Sequence, residues 1–240
     1  MKSSDEDYFE RVKQYSSENV EFCRYCEDHE DSSGYRKIKE KNKEVTWTKK
    51  HLPYIGPDYG VFPKVVFLGY DDPNPDGYSM DWLREYLGHP LNFDKHRAGQ
   101  ALFVSDLLGR SFPTISTLNG HLCSCVKKGT SDSMMHFLKQ PCDHSWHILL
   151  DILSPDLIII EGKKQWESSK QYLQGQGTWK ASPIEGSPRR GELCTLEYNK
   201  REILVLFLYH PSRNWDSPKK PYYKEVVLPL IEACKKNMNL

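Results

Sequence analysis

Cysteines are the residues of this chain whose type and spacing point most directly to chemistry. Cys23 and Cys26 form a C-x-x-C pair, a spacing that lets two thiolates reach one metal centre from a single turn. Cys123, Cys125 and Cys142 follow far downstream, and Cys142 opens a helix-like segment, where the positive end of the helix dipole favours a thiolate. The pair alone is equally compatible with zinc and with an iron–sulfur cluster.

Two other cysteines have a different setting. Cys194 and Cys234 lie among apolar residues of a strand-like and a helix-like run, so we expect both to be small buried side chains rather than ligands. An odd total of 7 cysteines favours thiols or metal ligands over disulfides. We expect an intracellular protein, in the cytoplasm or in the nucleoid or nucleus.

Carboxylates follow the first strongly apolar run, KVVFLGY at 64–70. Asp71 and Asp72 begin a turn rich in Asp, Pro and Gly, directly after the predicted strand. In a parallel sheet such a turn lies at the carboxyl edge, where ligands bind in α/β folds. An ordinary acidic surface turn has the same composition.

The run ILVLFLY at 203–209 ends in a second polar motif. His210, Ser212, Arg213 and Trp215 emerge together from this predicted strand. A histidine, a hydroxyl, a cation and an aromatic ring suit contact with a phosphate and a nucleobase. A structural histidine that caps the strand is the simpler alternative.

In order, these motifs resemble the uracil-DNA glycosylase superfamily, and the cysteines resemble its iron–sulfur branch, the family 4 type. The similarity runs from Cys23 to about Trp215. The segments that carry it are the C-x-x-C pair, IGPDYG at 55–60, VVFLGYDDPNP at 65–75, GHPLNFDKHRAGQALFVSDLLG at 88–109, LNGHLCSC at 118–125, CDHSWHILLDILSPDLIIIEG at 142–162 and YHPSRNW at 209–215.

The resemblance implies a structural four-iron, four-sulfur cluster, with zinc as the alternative. The implied ligands are Cys23, Cys26, Cys142 and one of Cys123 and Cys125. Cys123 keeps the Asn-x-x-x-Cys spacing of the family, whereas Cys125 leaves the shorter separation to Cys142 and is slightly favoured.

The resemblance also implies hydrolysis of the N-glycosidic bond of uracil or another deaminated base in DNA. His210 is the implied donor to the base. Asp71, by its distance from Gly69, or Asp72, which precedes Pro73, is the implied carboxylate. The turn has one residue more than the family pattern, so both stay open.

The substrate contacts implied by the resemblance surround these groups. The candidates are Gly69, Tyr70, Pro73, Phe93, Asn119, Ser212 and Arg213. Phe93 would be the stacking ring, since Leu91 stands at the usual position of the family's Phe. Asn119 would read the base edge, although a turn residue is an equal alternative for it. Ser212 would bind a flanking phosphate, and Arg213 or Trp215 would wedge into the base stack.

Two other functions remain compatible with the sequence. One is a catalytically weak DNA-binding or crosslinking relative that keeps the fold and the cluster. The other is a zinc-stabilised α/β module unrelated to repair. Lys+Arg and Asp+Glu both number 33, so DNA binding requires a local basic face, for which Lys127, Lys128, Lys219 and Lys220 are candidates.

Strands that alternate with helices must position these residues. KVVFLGY, LIIIEG and ILVLFLY predict buried parallel strands, and helical patterns at 79–88, 94–109, 142–153, 163–173 and 220–236 lie between or after them. The sequence predicts an α/β three-layer sandwich with a central, mostly parallel sheet, uracil-DNA glycosylase-like. We expect a single domain over 1–240, with 1–20 a possible arm and 21–50 the cluster-binding and loop region.

The expected partner is DNA with a flipped-out base. No apolar run reaches the ~18 residues that a membrane span needs, so we expect no membrane partner, and we expect a monomer.

Overall fold

The apolar runs form the centre of a mixed β-sheet. The computed structural model describes residues 54–55, 62–69, 95–109, 117–121, 148–181 and 191–240. Within these ranges the strands are β1 (Tyr54–Ile55), β2 (Val65–Gly69), β3 (Thr117–His121), β4 (Leu157–Glu161), β5 (Thr178–Ala181), β6 (Glu192–Tyr198) and β7 (Arg201–Leu208). The three runs predicted as core strands are confirmed as β2, β4 and β7.

The sheet order is β1-β3-β2-β4-β7-β6-β5. The four central strands β3, β2, β4 and β7 are parallel, whereas β1, β6 and β5 pair antiparallel at the edges. The α/β class is confirmed. The sheet is more mixed than expected, because short connections such as the turn between β6 and β7 can only join antiparallel strands.

Helices cover both faces of this sheet. In chain order they are α1 (Lys95–Leu108), α2 (Lys163–Gln176), the single turn α3 (Pro211–Asn214) and α4 (Leu228–Met238), with π-helical segments at Ile148–Leu153 and Tyr223–Val227. The predicted helices at 94–109, 163–173 and 220–236 are confirmed in substance. The predicted helix at 79–88 lies outside the described residues, and that at 142–153 is described only from residue 148.

The strands β2, β4 and β7 are apolar on both faces because helices bury both. Phe67, Ile159 and Leu206 belong to one core with α1 and α4, in which Phe103 of α1 packs edge-on against Phe67. On the other face, Trp166 of α2 stacks on Phe207 at 5.3 Å between ring centroids. Burial on two sides explains why these strands read as continuous apolar runs.

Two features fix the register of the strands. At the amino edge, the Asp156 carboxylate accepts the Lys64 N–H at 2.7 Å, and the Lys64 carbonyl accepts the N–H groups of Asp156 and Leu157. The Asp156 carbonyl also accepts the Leu204 N–H at 3.0 Å. These bonds align the starts of β2 and β4 with Leu204, the fourth residue of β7, and the carboxyl ends of the three strands lie level.

The turn between β6 and β7 consists of Asn199 and Lys200, with φ of 48° and 64°. Two consecutive residues with positive φ define the type of tight turn whose twist matches that of paired strands. The strands β6 and β7 thus form a hairpin. No helix within the described ranges has the length and apolar character needed to cross a membrane.

The expectation for the two C-terminal cysteines is also confirmed. Cys194 on β6 and Cys234 on α4 are both fully buried free thiols. Burial raises the pKa of each thiol to about 12, so both stay protonated near neutral pH. Neither has the character of a reactive thiolate.

The buried thiol of Cys234 should make stability depend on alkaline pH. Its pKa rises from 9.0 to about 12 on burial, so its contribution is complete below pH 9.0 and is lost as pH rises toward 12. In urea titrations, Cys234→Ala should reduce the alkaline decline of the unfolding free energy by up to roughly 1.4 kcal/mol per pH unit relative to the unmodified chain. Equal declines in the two proteins would contradict this account.

Candidate functional site

The candidate site lies at the carboxyl edge of the parallel strands. Gly69 pairs with His121 of β3, and Glu161 pairs with Leu208 of β7, so four strand ends lie in one row. The chain leaves β2 toward β3 on one side and leaves β4 toward β7 on the other. Such a reversal of direction opens a crevice between the two strands, and ligands of open α/β sheets bind there.

His210 occupies this edge on a well-anchored backbone. The residue before it, Tyr209, donates its N–H to the Tyr222 hydroxyl at 2.9 Å, and its carbonyl accepts the indole N–H of Trp215. The Asn214 amide donates to the His210 carbonyl at 3.1 Å. The backbone that carries the imidazole is therefore held from both sides.

The ring of His210 is also fixed by its neighbours. Its Nδ1 lies 2.9 Å from Ser212 Oγ, a contact that restricts rotation of the imidazole. The ring of His96, on α1, packs against it with 4.5 Å between centroids and 41° between planes. Two imidazoles from distant parts of the sequence thus share one contact.

His96 connects this contact to a buried carboxylate. The last residue of β4, Glu161, is 2% exposed, and its Oε2 lies 2.7 Å from His96 Nε2. The Gln100 amide donates to the same oxygen at 3.0 Å. Toward a carboxylate, which only accepts, His96 Nε2 would act as the donor, and the Gln100 amide nitrogen lies 3.2 Å from the same ring nitrogen.

Glu161 Oε1 is buried without a hydrogen-bond partner within the part of the chain that the structure describes. The next residue, Gly162, has a φ of 100°, a conformation open to glycine and rarely to other residues, and donates its N–H to the Leu208 carbonyl at 2.8 Å. The chain therefore turns sharply away after the carboxylate and leaves it at the sheet edge.

A glycine brings α1 and α3 together. A Cβ built on Gly99 would lie 2.6 Å from the Pro211 Cβ and 3.3 Å from the Trp215 ring. Only a residue without a side chain lets α1 approach so closely. This approach sets the distance between His96 and His210.

The structure brings together only part of the predicted site. His210, Ser212 and Arg213 lie at the carboxyl edge, directly after β7. Gly69 ends β2, which β4 separates from β7. Asn119 lies in β3 opposite Phe67, two residues before the end of that strand. The predicted residues outside the described ranges are Cys23, Cys26, Tyr70, Asp71, Asp72, Pro73, Phe93, Cys123, Cys125 and Cys142.

One sequence prediction is wrong. Trp215 cannot wedge into a base stack, because it is fully buried against Phe103 in the core. Arg213 is exposed, as a wedge requires. Of the basic candidates, Lys219 is exposed, whereas the Lys220 ammonium pairs with Asp216 and donates to the Arg213 carbonyl at 3.0 Å. Lys127 and Lys128 lie outside the described residues.

Sequence reasoning missed His96, Gln100 and Glu161. The available signal was a carboxylate at the end of the otherwise apolar strand LIIIE, a position that in α/β folds faces the ligand crevice. His96 and Gln100 carried no such signal, since they lie in a helix whose apolar residues dominate its pattern. No protein-family model matches the chain.

The close contact at Gly99 can be tested with a matched pair of glycines. Gly99→Ala should destabilise the protein by about 1–3 kcal/mol, because the added methyl group must push α3 away from α1. Gly175→Ala, in α2 with open space around its Cβ, should instead stabilise by up to about 1 kcal/mol. Urea unfolding of both variants measures the two effects, and a neutral or stabilising Gly99→Ala would refute the contact.

Proposed function

We propose that this chain is a DNA N-glycosylase that hydrolyses the bond between a deaminated base and its sugar. The observation that carries the proposal is the position of His210 relative to the end of β2. Both lie at the same sheet edge, on either side of Glu161, where β4 separates them by about 10 Å, twice the usual spacing of neighbouring strands.

The residues that follow β2 in the sequence would supply the second half of the proposed site. Asp71 and Asp72 follow Gly69 by two and three residues, so the length of the chain keeps them within about 7 and 11 Å of the strand end. A carboxylate in this segment and an imidazole at the end of β7 would flank a nucleotide held in the crevice. Which of the two carboxylates acts stays open.

The chemistry of the proposed reaction suits these two groups. As the N-glycosidic bond breaks, negative charge develops on the base and positive charge on the sugar. His210, anchored through Nδ1 to Ser212, would present Nε2 to the base oxygen or nitrogen that gains charge. Asp71 or Asp72 would stabilise the cationic sugar or orient the attacking water.

Exposed cations after β7 would contact the DNA backbone. Arg213, three residues after His210, and Lys219 are both exposed and would meet phosphates near the flipped nucleotide, with Arg213 as the wedge. Gly69, Tyr70 and Pro73 would line the crevice, Phe93 would stack on the base, and Asn119 would read its edge. Ser212 is hydrogen-bonded to His210. We therefore propose that it orients the imidazole ring as well as binding a flanking phosphate.

We further propose that the fold is a three-layer sandwich of the uracil-DNA glycosylase type. Helices on both faces and a parallel centre support this architecture. The proposed iron–sulfur cluster would be held by Cys23, Cys26, Cys142 and either Cys125 or Cys123. Its role would be to attach the N-terminal region to the sheet, and it would take no part in bond cleavage.

Base release tests the proposed activity. Under single turnover, the protein should release free base from at least one oligonucleotide that contains uracil, hypoxanthine or xanthine. His210→Ala should slow release by about 10²- to 10⁴-fold, the usual contribution of a positioned acid or base. Asn237→Ala, an exposed change on α4, is the matched control and should retain the full rate.

If no base is released from any of these substrates, the proposed glycosylase activity is refuted. DNA that remains covalently attached to the protein in a denaturing gel would instead identify the crosslinking relative.

Visible absorbance tests the cluster independently of catalysis. Protein purified without oxygen should be brown and absorb near ~400 nm if thiolates hold iron and sulfide, whereas zinc thiolates are colourless. Cys26→Ala should remove most of the absorbance, and of Cys123→Ala and Cys125→Ala only one should do so. Cys194→Ala is the control, since its buried thiol lies in the sheet. A colourless protein that contains zinc would overturn the assignment of an iron–sulfur cluster.

A further inference from the structure

Glu161 is the buried charged group that the proposed mechanism leaves unused. Its side chain has 0% exposure, although carboxylates are rarely buried unless they are fully paired. His96 and Gln100 both bond to Oε2, and Oε1 has no partner among the residues that the structure describes. A leucine here would continue the apolar strand and suit the core better, so stability does not explain the carboxylate.

We propose that Glu161, acting through His96, is the positioning residue of the catalytic histidine His210. This inference rests on the proposed function for the role of His210, but the contacts themselves stand without it. Glu161 fixes the His96 ring by a 2.7 Å hydrogen bond, and the His96 ring packs against that of His210. Ser212 holds Nδ1 of the same ring, so His210 is constrained at one edge and on one face.

The negative charge of Glu161 is central to this role. A carboxylate makes the facing nitrogen of His96 a donor and holds the ring in one tautomer, as in other carboxylate–histidine pairs. Gln100 donates to the same oxygen and prevents the carboxylate from rotating away from His96. The His96 ring then presents one fixed face to His210.

Two backbone features deliver this arrangement to the site. Gly99 lies three residues after His96 and lets α1 approach Pro211, the residue after His210. Gly162, with its φ of 100°, ends β4 immediately after Glu161. The close approach of α1 to α3 brings His96 to His210. The end of β4 at Glu161 leaves the carboxylate beside His96, so the three side chains form one line of contacts.

Two conservative variants test the proposal. Glu161→Gln removes the charge and keeps the volume and an accepting oxygen, whereas His96→Gln keeps a donor toward Glu161 and loses the ring that packs on His210. Glu167→Gln, the same chemical change on an exposed carboxylate of α2, is the matched control. The measurements are the single-turnover rate of base release, the dissociation constant for substrate DNA, the thermal midpoint, and ¹⁵N spectra of the His210 imidazole.

For a positioning role, Glu161→Gln and His96→Gln should each slow base release by about 10- to 100-fold, as when the partner that orients a functional histidine is lost. The dissociation constant should stay within about twofold, because the loss concerns the chemical step alone. The double variant should be little slower than either single variant, since both interrupt one line of contacts. The thermal midpoint of Glu161→Gln should be unchanged or higher.

The imidazole spectra separate this proposal from the proposed function. If the unmodified protein releases no base, the glycosylase proposal fails, yet a change of His210 tautomer or ring environment in both variants would still support positioning. If base is released and Glu161→Gln matches Glu167→Gln in rate and spectrum, the positioning proposal is overturned and the glycosylase stands. A lowered midpoint with an unchanged His210 spectrum would also overturn it, in favour of a structural carboxylate.

Discussion

Alignment of β2, β4 and β7 is the constraint on which the rest of the molecule depends. The Asp156 carboxylate and the Lys64 peptide bind each other at the amino edge, and the Asp156 carbonyl extends the same alignment to β7. Because parallel strands repeat at a fixed rise, strands aligned at the amino edge stay aligned to their carboxyl ends. A slip of one residue in any of them would exchange the buried faces and move Glu161 or His210 out of the row.

Much of this architecture could be predicted from the sequence, and the reason is local. The runs KVVFLGY, LIIIEG and ILVLFLY are continuously apolar and are followed by turn residues. Each run alone therefore predicts a central strand, whatever strands lie beside it. The helices at 94–109 and 163–173 lie between these runs and could also be predicted from the local sequence. The edge strands β1 and β5 are short and weakly patterned, and β1 pairs with β3, which is distant in sequence.

The candidate site was predictable only where it follows a strand directly. His210 and Ser212 could be placed because they lie just beyond a recognisable run. The His96–Glu161 pair joins residues 65 positions apart, and the His96–His210 contact depends on the absence of a side chain at Gly99; no local pattern reveals either. Trp215 was misjudged for a related reason, since its burial depends on packing against Phe103.

The C-terminal segment closes the core beneath the site. Tyr223 donates its hydroxyl to Asp106 of α1, Tyr222 receives the N–H of Tyr209 beside His210, and Leu230 and Ile231 lie fully buried in the same core. During synthesis, a chain that has reached only His210 lacks these supports, and part of the apolar face of its sheet remains uncovered. The site therefore matures only after residues 222–231 have left the ribosome, and a nascent chain without them would expose this face before it could engage a ligand.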